Sequence, residues 1–292
     1  MNNTPTYIYE KTLLNLLEDH NFVEETKKQI IYNPHSNKTA VIVDPRFDNV
    51  MEAVILNFMH FMAPKGWNLL IVSWSGYEAI IKERFPSCLF YKIDDTMIEM
   101  DQYNIPNISI YSYNNIFLNA NLWECIPGEH IAIFQKDCIM FHMFDEYFCL
   151  YDFAGANYYS QDHVTLYTGG INGGFSLRKK SAMIECLSKI TIKDINAYRQ
   201  KLNWISPERN FGMFTAGERD LLNEDIYFTY ACEMLHKVMP DKLTRSYLAI
   251  EADLNDETCI HHGWNKSYHS FEAAMHLLSN SEFFKKYMVI LG

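Results

Sequence analysis

Hydrophobic positions in the first half of the chain alternate between continuous runs and helical spacing. The run over residues 39–43 is typical of a strand buried on both faces, and residues 49–62 carry the spacing of an amphipathic helix. The alternation continues, with strands predicted over 67–74, 88–93 and 130–134 and helices over 76–85 and 112–126. This order of elements predicts an α/β fold with a mostly parallel sheet.

The pattern changes at both ends of this region. Residues 1–38 predict a polar, helical N-terminal extension, separated by a breaker sequence from a larger unit over residues 39–292. Beyond residue 145 the pattern is less regular. The elements predicted there are a helix over 179–190, a polar loop over 195–220, a helix over 224–238, a strand over 242–250 and a terminal helix after residue 264.

Composition and charge narrow the classes of protein that fit. The 292 residues are 48% hydrophobic and 21% charged, the balance of a globular protein with a sizeable core. The formal net charge of −11 disfavours nucleic-acid binding, because a negative surface repels a phosphate backbone. The sequence has no apolar run of transmembrane length, no signal peptide and no CxxC pair among its seven cysteines, so it predicts a cytoplasmic protein with reduced thiols.

Polar residues follow the predicted strands at their carboxyl ends, where parallel sheets bind ligands. They are Asp44 and Arg46 after the first strand, Ser73 at the end of the second and the tripeptide 135–137 after the fourth. A carboxylate such as Asp137 can hold Mg²⁺ or Mn²⁺ against a diphosphate, since these hard cations prefer oxygen ligands. A surface aspartate that merely closes a strand fits the same pattern.

Glycines are concentrated over residues 169–174. The segment is neither a GxGxxG fingerprint nor a P-loop, so it matches no nucleotide-binding motif. Glycine permits close approach of a ligand to the backbone, which would suit a sugar or a diphosphate. A hairpin with an irregular turn is the simpler explanation of the cluster taken alone.

Two adjacent acids, Glu224 and Asp225, follow Asn223 at the start of a predicted helix. Such a pair can supply a general base and an anchor for a hydroxyl group. The simpler explanation is that Asn223 caps the helix while the two acids complement its dipole. Taken alone, the pair favours the simpler explanation.

Three histidines lie before the predicted terminal helix, at His261, His262 and His269. They lack the HExxH pattern of zinc proteases. Together with neighbouring tryptophan, lysine and tyrosine they suit contact with carbohydrate or phosphate, and they suit an exposed loop equally well.

Several short motifs occur in order over residues 40–268. They are Tyr113-Asn114, Leu122-Trp123-Glu124, Phe134-Gln135-Lys136-Asp137 (FQxD), Tyr151 to Ala156 (YDYxGAP), Asn172 to Arg178 (NGGFSLR), Glu224 to Phe228 (EDxxF) and Ala249 to Glu251 (FSxE). With these motifs the sequence resembles a glycosyltransferase-like family catalogued as domain of unknown function 5672. It departs from the family pattern at Asn157-Tyr158, which replaces Pro-Trp, and at Asn265, which stands at a usual histidine position.

The resemblance implies a fold like that of the GT-A glycosyltransferases, with a Rossmann-like nucleotide-binding half over residues 39–145 and an acceptor-binding half over residues 146–292. It implies transfer of a sugar from a nucleotide diphosphate sugar, in the first instance a UDP-sugar, to a hydroxyl of a glycan, glycoprotein or glycolipid. More loosely, the order of motifs is similar to that of β-1,4-galactosyltransferases, in which a Glu-Asp cluster carries the base. A single base that directs in-line attack would invert the anomeric centre.

The resemblance and the strand ends together give the candidate site residues. Those for the nucleotide sugar are Asp44, Arg46, Ser73, Gln135, Asp137, Asn172, Gly173 and Gly174, with Asp225 as the base and Glu224 as the hydroxyl anchor. Mn²⁺ or Mg²⁺ would be held by Asp137, with His262 in place of the missing family histidine. Gln135 stands where β-1,4-galactosyltransferases have the first acid of Asp-x-Asp, which weakens the expected metal site.

Two other functions stay open. A nucleotidyltransferase would also combine a metal with an α/β nucleotide site, but it normally has a glycine-rich basic loop after its first strand, unlike residues 43–47. A non-catalytic relative that binds carbohydrate or a nucleotide sugar fits the replacements at Gln135 and Asn265. Turnover of a nucleotide sugar would distinguish the enzyme from this binder.

Overall fold

The computed structural model describes residues 4–157, 170–205, 223–251, 254–264 and 271–288. Its strands are β1 Lys38–Val43, β2 Asn68–Ser73, β3 Leu89–Lys92, β4 Ile98–Met100, β5 Pro106–Ile108, β6 His130–Phe134, β7 Cys138–Met140, β8 Phe153–Asn157, β9 Ile171–Lys179, β10 Ala249–Ile250 and β11 Ile260–His262. Its helices are α1 Pro5–Glu18, α2 His20–Gln29, α3 Asn49–Met62, α4 Glu78–Arg84, α5 Ile110–Phe117, α6 Ala120–Cys125, α7 Lys180–Lys189, α8 Ile192–Ile205, α9 Glu224–Met234, α10 Lys242–Leu248 and α11 Phe271–Asn280. Outside the described ranges lie Tyr158, Gly169, Asn265 and His269.

Six strands form the central sheet in the order β3-β2-β1-β6-β9-β8. The first four run parallel, and β9 is antiparallel to both of its neighbours. The pairing places Val41 of β1 beside Leu70 of β2 and Ile133 of β6. The predicted α/β fold with a mostly parallel sheet is therefore confirmed, and the carboxyl ends of β1, β2 and β6 share one edge.

Strand β1 is buried on both faces because alternate side chains point to opposite sides of a sheet. Ala40 and Ile42 join the apolar cluster that contains α1 and α3, whereas Val41 and Val43 join the cluster that contains α5, α6, α7 and α9. Helices thus cover each face of the sheet. The continuous apolar run of β1 follows from this arrangement, since neither of its faces meets water.

Helix α1 packs into the core around the sheet. Ile8, Tyr9, Leu13 and Leu16 are buried, and the helix contacts α3 and α11. The hydroxyl of Tyr9 lies 3.0 Å from Nδ1 of His261, which is 252 residues away in sequence. The helical character predicted for the N-terminal extension is confirmed by α1 and α2. That residues 1–38 form a separate unit stays a prediction. The division of residues 39–292 into two halves also stays a prediction.

Two elements in the structure differ from those predicted. The helix predicted over 112–126 is divided into α5 and α6, because the side chain of Asn119 caps the start of the second helix. The strand predicted over 242–250 is wrong for most of its length. Asp241 accepts a hydrogen bond from the backbone of Thr244 and so begins α10, and only the last two residues pair as a strand.

The polar loop predicted over 195–220 is replaced by helix α8 as far as Ile205. Much of its polar surface is exposed, while Ile195 is buried and the ring of Tyr198 packs edge-on against Tyr230. The rest of that predicted loop lies outside the described residues. None of the helices in the described part of the chain has both the length and the apolar character needed to cross a membrane.

Candidate active site

A cleft of about 440 Å³ opens at the carboxyl ends of β1 and β6. Its lining includes Asp44, Arg46, Gln135, Lys136, Asp137 and Trp264. The structure therefore brings together the predicted residues that follow these two strands, as expected for a parallel sheet. Ser73 at the end of β2 is different, because its side chain is fully buried and is not part of the cleft lining. Its predicted contact with a nucleotide is not supported.

Asp44 and Arg46 form a forked ion pair in the cleft. Arg46 donates from Nε to Oδ1 of Asp44 at 2.9 Å and from a terminal nitrogen to Oδ2 at 2.8 Å, and its backbone N–H also donates to Oδ1 at 2.8 Å. The hydrogen bonds to Asp44 raise the pKa of Arg46 further above its ordinary value. A guanidinium has five N–H donors, so further donors are left for an anionic ligand.

Lys136 brings a second basic group to the cleft, and the interpretation of residues 135–137 from sequence overlooked it. Its ammonium pairs with Asp48, the residue that caps helix α3. The signal was present in the sequence, because a lysine beside a strand-end carboxylate is a candidate phosphate ligand. Arg46 and Lys136 are thus each paired with an acid, Asp44 and Asp48 respectively.

Three potential metal ligands lie close together: Asp137, which lines the cleft, and the buried residues Cys138 and His262. Their ligand atoms lie within 4.8 Å of one another. Nε2 of His262 is 3.6 Å from Oδ1 of Asp137 and 3.2 Å from Oε1 of Gln135. Sequence reasoning missed Cys138, whose thiol donates to the carbonyl of Gly174 at 3.2 Å, because only the pairing of β7 with β11 sets it opposite His262.

The three side chains offer a metal different kinds of donor, namely a carboxylate, a thiol and an imidazole. Carboxylate and amide oxygens suit Mg²⁺ and Mn²⁺, and imidazole is a common ligand for first-row transition metals. Asp137, Cys138 and His262 are therefore the side chains that could hold a metal, with the amide oxygen of Gln135 beside His262.

A second carboxylate faces the other ring nitrogen of His262. Nδ1 of His262 lies 3.7 Å from Oε1 of Glu251, and Oε2 of Glu251 accepts a hydrogen bond from Nδ2 of Asn172 at 3.0 Å. A carboxylate in this position is the usual means of fixing the orientation of a metal-binding imidazole. Asn172 is buried within this group and does not line the cleft, so its position differs from that predicted for a nucleotide-sugar ligand.

Gly173 and Gly174 allow β9 to approach two functional side chains. A Cβ atom at Gly174 would overlap the ring of His262, and one at Gly173 would overlap the carboxylate of Glu224. Both glycines lie inside a nine-residue strand, so the explanation of an irregular hairpin turn is wrong for them. Their bare backbone accommodates side chains of the protein itself.

Glu224 is buried and paired, which differs from its predicted role as an anchor for an acceptor hydroxyl. Arg178 donates to both of its carboxylate oxygens, at 2.6 and 3.1 Å. The backbone N–H of Glu224 donates to Oδ1 of Asn114 on α5 at 3.1 Å. Asn223 makes no capping hydrogen bond with its side chain, so the simple capping explanation fails and Asn114 satisfies the start of α9 instead.

Asp225 lies next to Glu224 and is partly buried. Its Oδ2 accepts a hydrogen bond from the backbone N–H of Gly173 at 3.2 Å, and its Oδ1 accepts one from that of Ile226 at 2.7 Å. Burial and, after it, the charge of Glu224 raise the pKa of Asp225 to about 7. A carboxyl group that titrates near neutral pH has the property required of a general base.

Residues 96–266 match the model of a protein family described as "Protein of unknown function (DUF5672)". No curated protein matches the chain. Among solved structures, the chain is similar to the apo-form glycosyltransferase GlyE of Streptococcus pneumoniae TIGR4, with 11% sequence identity and a TM-score of 0.41. The likeness covers 87% of this chain and 64% of that chain, so this chain corresponds to less than two thirds of GlyE.

Proposed function

The chain belongs to the DUF5672 family of proteins of unknown function, and we propose that it is a glycosyltransferase with a GT-A-like arrangement of a donor half and an acceptor half. In this proposal it transfers a sugar from a nucleotide diphosphate sugar to a hydroxyl group of a glycan, glycoprotein or glycolipid. The choice of UDP as the nucleotide rests on the motif order shared with β-1,4-galactosyltransferases. The transfer inverts the anomeric centre.

The proposal rests on two backbone hydrogen bonds that link the lining of the cleft to β9 and β9 to Asp225. Gln135 donates its backbone N–H to the carbonyl of Gly174 at 2.9 Å, and the neighbouring Gly173 donates to Asp225 at 3.2 Å. A donor seated in the cleft would thus lie near a carboxylate suited to receive a proton. This juxtaposition of a ligand cleft, metal ligands and a base is what sugar transfer requires.

The donor diphosphate is proposed to lie against Arg46 and Lys136. Arg46 is held in place by its fork to Asp44, so it is oriented before a ligand arrives. Lys136 contributes a point charge from the end of the neighbouring strand β6. Asp137 and His262 would hold a divalent cation, which when bound supplies Lewis-acid stabilisation of the leaving diphosphate.

Asp225 is proposed to take the proton from the acceptor hydroxyl. With a pKa of about 7 it is partly ionised at neutral pH and basic enough to assist attack. The new bond forms between the acceptor oxygen and the anomeric carbon while the bond to the diphosphate breaks. Because one base directs attack from the face opposite the leaving group, the anomeric configuration inverts.

The second candidate function is that of a non-catalytic protein that binds a nucleotide sugar. The hydrogen bonds of the Gln135 amide favour it. Nε2 of Gln135 donates to the hydroxyl of Tyr113 at 2.7 Å, and its Oε1 lies 3.2 Å from His262. An amide held in this way supplies no charge to a cation where an acid would supply one. Binding without turnover is what this candidate predicts.

The experiment that tests the proposal is a thermal-shift panel of nucleotide diphosphates and nucleotide sugars, with and without Mn²⁺, followed by a turnover assay. A ligand at about 100 times its Kd stabilises the fold by about 2.7 kcal/mol, which raises Tm by several degrees. We expect stabilisation by one nucleotide sugar, enhanced by Mn²⁺, and slow release of free nucleotide.

The turnover assay distinguishes the glycosyltransferase from the non-catalytic binder. Stabilisation by a donor without nucleotide release, even with a mixture of glycan acceptors, would support the binder. The absence of any shift across the panel would contradict both candidates.

A further inference from the structure

Arg178 is a buried cation enclosed by aromatic rings. Only 1% of the residue is exposed. Its guanidinium carbon lies 4.8–5.8 Å from the centroids of four rings, those of Phe153, Phe228, Phe117 and Trp123. Its Nε donates to the hydroxyl of Ser176 at 2.9 Å, and its two terminal nitrogens donate to Glu224. No part of this side chain is available to a substrate.

We propose that Arg178 is a positioning residue of the transferase site, which fixes Glu224 and through it the place and surroundings of the Asp225 carboxylate. The inference rests on the proposed function in naming Asp225 as the base. It assigns Glu224 a different role from that of a hydroxyl anchor. Both oxygens of Glu224 are held by the guanidinium, whose planar fork matches a carboxylate.

The start of helix α9 is held from three directions. Asn114 accepts the backbone N–H of Glu224, Arg178 binds its carboxylate, and Gly173 approaches so closely that a Cβ atom there would overlap that carboxylate. The same Gly173 donates its N–H to Asp225. A displacement of Glu224 would therefore move the backbone that carries Asp225 and the hydrogen bond that orients it.

A contribution to the stability of the fold is a poor explanation of the Arg178–Glu224 ion pair. Burial of both charges carries a large desolvation penalty, and apolar side chains of similar volume often serve stability equally well. Arg178 sits among rings that would accept an apolar side chain without difficulty. What apolar residues could not provide is a carboxylate at a fixed position beside Asp225.

The charges around Asp225 come from more than one element. Glu224 precedes it on α9, and Arg178 projects from β9. Burial and then Glu224 raise the pKa of Asp225 to about 7, while backbone hydrogen bonds and Arg178 act in the opposite direction. Removal of the Arg178–Glu224 pair as a whole should lower that pKa, because the contribution of Glu224 is the larger of the two.

The test compares two double variants. Arg178→Met/Glu224→Leu removes the pair without leaving an uncompensated buried charge, which single alanine variants would leave. The matched control is Lys27→Met/Glu52→Leu, which removes another ion pair, bonded at 2.8 Å, whose lysine also lies over an aromatic ring. That control pair joins α2 to α3 on the other face of the sheet.

Three quantities are measured for each variant: the donor-induced thermal shift, the pH profile of turnover, and the carboxyl titration of Asp225 by NMR with ¹³C-labelled aspartate. For the Arg178 double variant we expect a folded protein with an unchanged donor shift, turnover reduced about 10²-fold by displacement of the base, and a lower Asp225 titration midpoint. Arg178→Lys, which keeps the charge without the fork, should fall between it and the wild type. The control should match the wild type in all three quantities.

The inference is overturned if the Arg178 double variant keeps the turnover and the Asp225 titration of the wild type, since the pair would then be structural only. The NMR titration needs no substrate, so it separates this result from failure of the proposed function. If the wild type turns over no nucleotide sugar, the transferase proposal fails, while a shifted titration still supports control of Asp225 by the Arg178–Glu224 pair.

Discussion

His262 lies directly opposite Cys138 in the antiparallel pairing of β11 with β7. This register sets its Nε2 3.6 Å from the carboxylate of Asp137, the residue that precedes β7. The two potential metal ligands are thus brought together by backbone pairing and not by a contiguous motif. Because a shift of one residue would turn His262 to the other face of its strand, the register itself specifies the site.

Substitutions can distinguish the contributions of the candidate metal ligands to Mn²⁺ binding. His262→Gln should lower Mn²⁺ affinity by at least about 10-fold, because it removes an imidazole ligand from the group. Cys138→Ser should change that affinity little, since a hydroxyl can also donate to the carbonyl of Gly174. Calorimetric titration with Mn²⁺ checks both. A larger loss in Cys138→Ser than in His262→Gln would instead indicate thiolate ligation and a softer metal such as Zn²⁺.

Asp225→Asn should abolish most turnover and leave donor binding intact. The amide has nearly the same shape but cannot accept a proton, and loss of a general base typically reduces rates about 10²–10⁴-fold. Turnover and the donor-induced thermal shift are measured in parallel. Glu99→Gln, which changes an exposed acid on β4, serves as the control. Wild-type turnover in Asp225→Asn would remove this residue from the mechanism.

The raised pKa of Asp225 predicts opposite effects of pH on rate and on stability. Turnover should rise as pH increases through about 7, because the base must be ionised. Stability should fall over a lower range, between the ordinary pKa of 3.8 and the raised pKa of about 7, since the folded state holds a proton there that the unfolded state has released.

The Asp225→Asn variant provides the measurement for this second effect. It should be more stable than the wild type at pH 8, by about 1 kcal/mol or more and hence by about 2–4 °C in Tm. The difference should vanish below about pH 3, where the wild-type carboxyl is protonated in both states. Parallel Tm curves across the whole pH range would contradict the assigned pKa.

Gly174→Ala should weaken metal binding without altering any ligand. A Cβ atom at this position overlaps the imidazole of His262, so the ring or the strand must shift. Overpacking of this kind typically destabilises a protein by about 1–3 kcal/mol. Mn²⁺ titration and thermal unfolding report the two effects. Unchanged Mn²⁺ affinity in a destabilised variant would show that His262 is not a ligand.

Lys136→Met should lower donor affinity by about 10-fold at low salt, with a smaller loss as ionic strength rises. Stability should change little, because the pair with Asp48 is partly exposed and Asp48 still caps α3. Lys92→Met, which removes an exposed pair with Asp95, is the matched control. A salt-independent loss of affinity in Lys136→Met would point to a change of shape and not to a lost charge.

Strands and helices with a regular hydrophobic pattern could be predicted from the sequence. The apolar run of β1 and the spacing of α3 predicted these elements, because burial on both faces or along one stripe leaves a periodic record. The strand predicted over 242–250 failed because a single capping residue, Asp241, determines that this segment begins as a helix.

The chemistry of the site was only partly predictable. Asp44, Arg46 and Asp137 could be placed together because strand ends share an edge in a parallel sheet. The partnership of Arg178 with Glu224 could not, since it joins residues 46 positions apart through tertiary packing. The same holds for Cys138 and His262, whose proximity depends on strand register.

The contact of Tyr9 with His261 has a consequence for the exchange of segments between relatives. The first helix supplies a hydroxyl to the residue adjacent to a candidate metal ligand, together with the buried side chains Ile8, Leu13 and Leu16. A chimaera that takes this helix from one family member and the sheet from another would need a matching residue at both ends of that contact. The amino-terminal helix and the residues around His262 are therefore expected to vary as a unit, and successful recombination would be confined to crossover points that keep the two together.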